Sequence, residues 1–196
     1  MSTELTSEAL DTLFRKARTY RSYQGRPVFE SQLRQIWDLV KFGPTSANLM
    51  PARFVWCVSE TAKDRLATFA SDANVDNIRK APVAVIVAMD MKFYEQGPRL
   101  FPYADVRAWF EGNEIATTET ALRNSSLQGA YFILGARALG LDTGPMSGFD
   151  AAAVDEAFFA GTTYKSNFIS TLGYGDPATL FDRLPRPDFE DFNSIV

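Results

Sequence analysis

The chain has 196 residues, with 20 Lys and Arg against 24 Asp and Glu, a net charge of −4, no histidine and a single cysteine. An acidic chain with scattered cations lacks the basic patch of a nucleic-acid binder. The missing histidines and the lone Cys57 exclude His-based triads, Cys–His pairs, ordinary zinc sites and an intrachain disulfide.

With 46% hydrophobic residues the chain can build a substantial core, and its length fits one domain over 1–196. Leu10, Leu13, Phe14 and Ala17 fall at helical spacing and predict a first amphipathic helix. Leu33, Ile36, Trp37 and Val40 repeat that spacing until Gly43-Pro44 stops the helix. Residues 54–58 read as a short strand and 61–70 as a helix. The apolar run 83–89 reads as a strand buried on both faces, and it is far too short to span a bilayer. Residues 91–113 interleave aromatics with prolines and charges and predict an irregular excursion, with Arg99, Asp105 and Arg107 leaving room for a substrate lid. Residues 117–139 predict a long helix whose small residues imply burial and close packing, with another subunit as one candidate for the packing surface. Asp150 is the expected N-cap of a further helix, with Phe149 and Val154 as its hydrophobic staple. Residues 167–172 read as a last strand before a polar, proline-containing tail. Strands and helices alternate, which gives an α+β or α/β core. The polar, acidic N-terminus has no secretory apolar stretch, so the expected location is the cytoplasm, with neither a membrane nor a nucleic acid as partner.

The stretch from Arg137 to Phe149 is the most informative. A helix closes at Gly140, and Gly144-Pro145 and Ser147-Gly148 then bare the backbone on either side of Met146. Glycines there let main-chain N–H groups approach something flat or anionic. Taken with Gly43-Pro44-Thr45-Ser46-Ala47-Asn48, this points to a planar polar cofactor and to redox chemistry that needs few acid–base residues. The Thr45–Asn48 residues read equally well as plain turn chemistry. No dinucleotide fingerprint is present. Gly135 to Gly140 has the spacing of a P-loop, but Leu141 stands where lysine is required. Arg18, Arg21, Arg183 and Arg186 lie near the two ends of the chain. They would form a phosphate pocket if the ends meet, and are otherwise solvated surface arginines. The acidic residues show no metal-ligand spacing, so no metal is expected. Cys57, in an apolar strand, reads as an inert core thiol.

Together these segments resemble the nitroreductase family of FMN-dependent, NAD(P)H-oxidising enzymes. The segments are Arg18-Thr19, Gly43 to Asn48, Asn74 ahead of the apolar strand, Gly140 to Gly148, and Arg183-Leu184-Pro185. Within the family, Phe101-Pro102, Trp109-Phe110, Arg123-Asn124-Ser125-Ser126 and Gly140 to Phe149 are most similar to the malonic semialdehyde reductases of pyrimidine degradation. The resemblance implies an α+β fold with a central mixed sheet flanked by helices, and an intertwined homodimer with two FMN sites at its interface. It assigns Arg18 and Arg183 to the phosphate and Asn74 to the isoalloxazine edge. Met146, Ser147 and Gly148 would supply main chain near N5 and O4, and Pro44, Thr45, Ser46 and Asn48 would come from the partner. Two positions depart from the family pattern. Ser147 stands where many members have glutamate, and Asn77 where many have a lysine, which Lys80 or an arginine would have to replace.

The implied reaction is a hydride relay through flavin N5, with NADH or NADPH and the substrate using one pocket in turn. The closer resemblance suggests malonic semialdehyde going to 3-hydroxypropionate. Arg107 or Arg123 would take its carboxylate, and Tyr103, Ser147 or water would supply the proton. A broad nitro, quinone or enone reductase is the same-class alternative, and a flavin-storing or flavin-sensing module without turnover is the other.

Overall fold

A computed structural model describes residues 3–196. A helical turn α1 (Ser7–Leu10) runs into a π-turn, and α2 (Glu30–Val40) leads to strand β1 (Ala52–Cys57). Helices α3 (Glu60–Ala67) and α4 (Asp72–Lys80) precede β2 (Val83–Asp90). Two single turns follow, α5 (Gly97–Leu100) and α6 (Arg107–Phe110), then the long helix α7 (Glu114–Ala138). Strand β3 (Asp142–Met146), helix α8 (Ala151–Phe159) and strand β4 (Tyr164–Gly173) complete the core, and a last turn, α9 (Phe189–Phe192), lies in the tail.

The four strands form one sheet in the order β1-β2-β4-β3. All three pairings are antiparallel, which corrects the mixed sheet expected above. The one parallel pairing among the described residues is the isolated bridge between Thr19 and Thr143. An apolar run buried on both faces usually signals a parallel strand. Here β2 is covered on both faces for another reason. Val83, Val85 and Val87 pack with Ile36, Val40 and Phe132 from α2 and α7. Ala84, Ile86 and Ala88 pack with Leu66, Ile78 and Val154 from α3, α4 and α8. Side chains alternate across a strand, so this one run serves two cores.

The local signals explain most boundaries. Gly140 takes φ +73° just past α7, the left-handed conformation that ends helices. The Asp150 carboxylate accepts the Ala153 N–H, and Phe149 packs in the same cluster as Val154. Helix α4, absent from the sequence reading, begins after Ser71 and carries only Ile78 fully into the core. Residues 91–113 fold as short turns around their own cluster, with Phe93 and Phe110 edge to face at 4.9 Å and Leu49 buried among them.

Candidate active site

The two ends of the core chain meet beside β3. Tyr20 N–H bonds the Thr143 carbonyl at 3.1 Å, next to the Thr19–Thr143 bridge. A Cβ on Gly144 would collide with the Tyr20 carbonyl and with Thr171 Oγ1, so glycine permits this approach. Arg18 donates to the Phe181 carbonyl, and Arg183 donates to the Ala17 carbonyl at 3.0 Å. Between these segments opens a cavity of about 600 Å³, lined by Arg18, Arg137, Arg183 and Arg186, with Asp182 the one acid on its wall. Arg21 stacks over the Phe181 ring at 5.4 Å.

Arg137 was not predicted. It sits in the last turn of α7, where a cation reads simply as a complement to the helix dipole. Its Nη1 donates to the Leu13 carbonyl at 2.7 Å, but its buried Nε has no partner. Burial pulls the guanidinium below its usual pKa, and Asp142 partly offsets this. A buried donor without an acceptor costs stability, and an anion in the cavity would supply that acceptor.

A second cavity has a volume of about 370 Å³. It is lined by Pro145, Met146 and Ser147 of the β3 end, Ser126, Ala130 and Ile133 of α7, and Phe168 of β4. Ile133 of this cavity and Arg137 of the first are one helical turn apart, roughly 6 Å. The two cavities thus follow one another along α7, on the seam that this helix makes with β3. Just past Ser147, Asn74 Nδ2 donates to the Gly148 carbonyl and to Ser71 Oγ, both at 3.1 Å. A Cβ on Gly148 would lie 2.6 Å from Ser71 Oγ, so this approach also needs glycine. The seam fits a molecule with a flat polar ring at one end and a phosphate at the other, which is the shape and charge of FMN.

The loop after α2 lies elsewhere. Ser46 N–H bonds Asn124 Oδ1 at 2.8 Å, Tyr131 O–H bonds the Pro44 carbonyl at 2.9 Å, and Gln128 Oε1 accepts the Ala52 N–H at 2.9 Å. At about 100° per residue, Asn124, Gln128 and Tyr131 stand on the face of α7 opposite Ser126, Ala130 and Ile133. Arg18 and Arg183 line the first cavity, Met146 and Ser147 the second, and Asn74 holds the Gly148 carbonyl just beyond it. The structure holds Pro44, Thr45, Ser46 and Asn48 across the body of the helix.

The nitroreductase family model matches residues 14–174. The chain belongs to the nitroreductase family. A protein of Burkholderia lata, provisionally named an NADH dehydrogenase/NAD(P)H nitroreductase, is 59% identical over 193 residues, 98% of this chain and 99% of its own. A similarly named protein of Stenotrophomonas maltophilia is 57% identical over the whole of both chains. A solved structure from Exiguobacterium sibiricum, provisionally named a nitroreductase and bound to FMN, superposes with a TM-score of 0.85 at 22% identity, covering both chains completely.

The remaining candidates of this nitroreductase are scattered. Ser147 is exposed beside Met146. Tyr103 is 86% exposed and packs on Phe101, which in turn lies 6.2 Å from Trp109. Arg107 pairs with Glu111 at 3.2 Å and Glu95 at 3.9 Å, and Arg123 with Glu119 at 3.9 Å. Lys80 pairs with Asp76 at 2.7 Å. Asn77 donates to the Ala73 carbonyl of its own helix. Cys57 is buried, and burial pushes its thiol up to about 11.

Proposed function

We propose that this nitroreductase is an FMN-dependent NAD(P)H oxidoreductase that works as a homodimer. The observation that carries the reading is the seam from the four-arginine cavity to the backbone-lined concavity at 145–148. In this reading Arg18, Arg183 and Arg137 hold the phosphate, and Asn74 and the Met146–Gly148 main chain orient the ring. Because Thr45, Ser46 and Asn48 lie across α7 from their own seam, they serve the flavin of the other subunit, and each site needs both chains. Bound FMN would supply two-electron hydride chemistry, taking hydride from NADH or NADPH and passing it to an acceptor. The protein's own part is to bind, orient and exclude water. The names of the relatives and the FMN held by the structural neighbour support the assignment. Among the described residues no helix is long and apolar enough to cross a membrane, and we place the enzyme in the cytoplasm.

The acceptor that fits best is a flat, electron-poor compound such as a quinone, nitroarene or enone. The exposed Tyr103 and Trp109 rings, packed on the half-buried Phe101, offer it a stacking surface, tied to the 44–50 loop through the bond from Asn48 Nδ2 to the Leu100 carbonyl at 2.9 Å. Reduction of malonic semialdehyde is the second reading, supported by the resemblance of the 101–102, 109–110, 123–126 and 140–149 segments. It requires Arg107 or Arg123 to leave its carboxylate partner for the substrate, whereas Arg99 forms no ion pair among the described residues.

The test is to release and identify the flavin, then compare steady-state rates for malonic semialdehyde, a neutral quinone and a nitroarene with each nicotinamide. FAD, or no flavin after reconstitution, sinks the cofactor assignment. A kcat/KM for the aldehyde that exceeds the others establishes the second reading. A flavin that NADH and NADPH fail to bleach under anaerobic conditions makes the protein a flavin carrier.

A further inference from the structure

The segment 44–50 concentrates the backbone strain of the molecule. Ala47 (φ 47°), Asn48 (φ 53°) and Met50 (φ 45°) are the only non-glycine residues with positive φ among the described residues. An L-residue avoids this region because its Cβ crowds the following carbonyl. Three such residues within four positions persist only where the surroundings over-determine them.

The surroundings do so with side chains. Tyr131 holds the Pro44 carbonyl, Thr45 Oγ1 accepts the Met50 N–H at 3.2 Å, and Asn48 reaches Leu100. The buried member of this set is Asn124, 3% exposed in the middle of α7. Its Oδ1 accepts the Ser46 N–H at 2.8 Å, and its Nδ2 donates to the Thr120 carbonyl at 2.8 Å. Asparagine is a poor helix former and an expensive core residue, so its position answers to the loop. The internal bonds also decide what the loop can offer. Ser46 N–H, Asn48 Nδ2 and one Thr45 lone pair are taken, while Ser46 Oγ and Asn48 Oδ1 carry no hydrogen bond among the described residues.

We propose that Asn124 is a positioning residue for flavin binding. By accepting the Ser46 N–H it anchors the segment whose left-handed turn at Ala47 and Asn48 directs the Ser46 hydroxyl and the Asn48 Oδ1 outward to the flavin ring. This rests on the reading that the loop serves a flavin, and it assigns a role to a residue that touches neither flavin nor substrate.

The test uses apo-protein titrated with FMN and, separately, with riboflavin, followed by flavin fluorescence, for the wild type, Asn124→Leu and Asn124→Asp. Asn124→Leu keeps the branched outline with added bulk and removes the acceptor. It should raise both dissociation constants by the same factor, about tenfold, the equivalent of one hydrogen bond. Asn124→Asp keeps an acceptor oxygen and should bind within about threefold of wild type on the same scale. Should the leucine variant not fold, Asn124→Ala removes the same acceptor without bulk and carries the same expectation. Wild-type affinity in the Leu or Ala variant overturns the proposal, as does an equal loss in Asn124→Asp. A loss confined to FMN also overturns it, because the loop acts on the ring and not on the phosphate. Failure of the wild type to bind either flavin would instead sink the flavin reading itself.

Discussion

Removing Arg183 separates a phosphate site from a structural contact. In the protein one Arg183 nitrogen donates to the Ala17 carbonyl at 3.0 Å, which leaves the rest of the guanidinium free on the cavity wall. A charge-assisted bond contributes about 1.5–3 kcal/mol, which is about 10- to 150-fold in affinity. Arg183 is exposed, so solvent screening places Arg183→Ala at the lower end, about 10- to 30-fold. Arg137 has its Nε buried and unpartnered, and Arg137→Ala belongs near the upper end. The assay is calorimetric titration of apo-protein with FMN and riboflavin, because only FMN carries the phosphate charge. The Arg183→Ala loss should appear with FMN, be nearly absent with riboflavin, and shrink between low and high salt as the Debye length shortens. Equal losses for both ligands would refute the phosphate assignment and leave Arg183 as a tie between the tail and Ala17. A loss indifferent to salt would argue against a charge interaction at the cavity wall.

Three further outcomes follow from the geometry. Ala47→Gly should raise the melting temperature by ~1–3 °C, because the relief of left-handed strain exceeds the added chain entropy; a fall would mean the loop does not hold that conformation. Lys63 is buried, with Nζ bonding the Ala81 carbonyl at 2.8 Å and the Arg79 carbonyl at 3.3 Å at the end of α4. Lys63→Met should cost about 1–3 kcal/mol in urea unfolding through the stranded carbonyls, with FMN affinity unchanged. Asp142 has its carboxyl pushed up by burial, against the pull of the Gly175 N–H and Arg137. The folded state thus holds this proton more tightly than the unfolded chain, and the carboxylate costs stability once pH rises above the unfolded value. Asp142→Asn, which keeps the acceptor for Gly175, should therefore stabilise the protein at pH 7, with the gain fading below the usual carboxylate value of 3.8. A gain equal at both ends of the pH range would refute this.

The parts of the fold legible in the sequence are those that local chemistry decides. The spacing of Leu33, Ile36 and Val40, the Gly43-Pro44 stop, the Asp150 cap and the unbroken apolar run 83–89 each act within a few residues. Strand direction was not legible, because burial of β2 on both faces follows from which helices cover it, and that is settled far along the chain. Helix α4 was missed because it brings one residue, Ile78, fully into the core. The arginine cavity was half visible. Arginines near both ends suggested it, and the bonds from Arg18 to Phe181 and from Arg183 to Ala17 join those ends, but Arg137 was hidden in the last turn of a helix. Arg107 is a different case. Its place among aromatics suggested a substrate contact, and the sequence reading did not include Glu111, one helical turn on, which pairs with it at 3.2 Å.

Helix α7 explains why neither half of the proposed site suffices alone. Its faces do not divide cleanly by polarity. Thr117, Asn124, Ser125 and Gln128 are buried beside Ala121, Phe132 and Ala136, while Ile115, Leu122 and Leu127 are exposed, Ile115 at 75%. A helix facing one core turns its apolar stripe inward, and buried polar groups are costly without partners. Most of the inward polar atoms have partners. Asn124 and Gln128 Oε1 fasten the 44–52 backbone and Ser125 accepts Asn167 Nδ2 at 2.8 Å, while Gln128 Nε2 is buried without one. The outward apolar residues belong to none of the core clusters among the described residues, and Leu122 is one helical turn from Ser126 on the cavity wall. A two-fold axis along that face would pair α7 with its copy. It would cover Leu122 and Leu127, and it would carry each Thr45–Asn48 loop around to the other subunit's seam. On the proposed dimer, the polar core face of this helix, the loop on its far side and the open seam on its near side would share one explanation: α7 would be the wall common to two sites, each closed by the other chain.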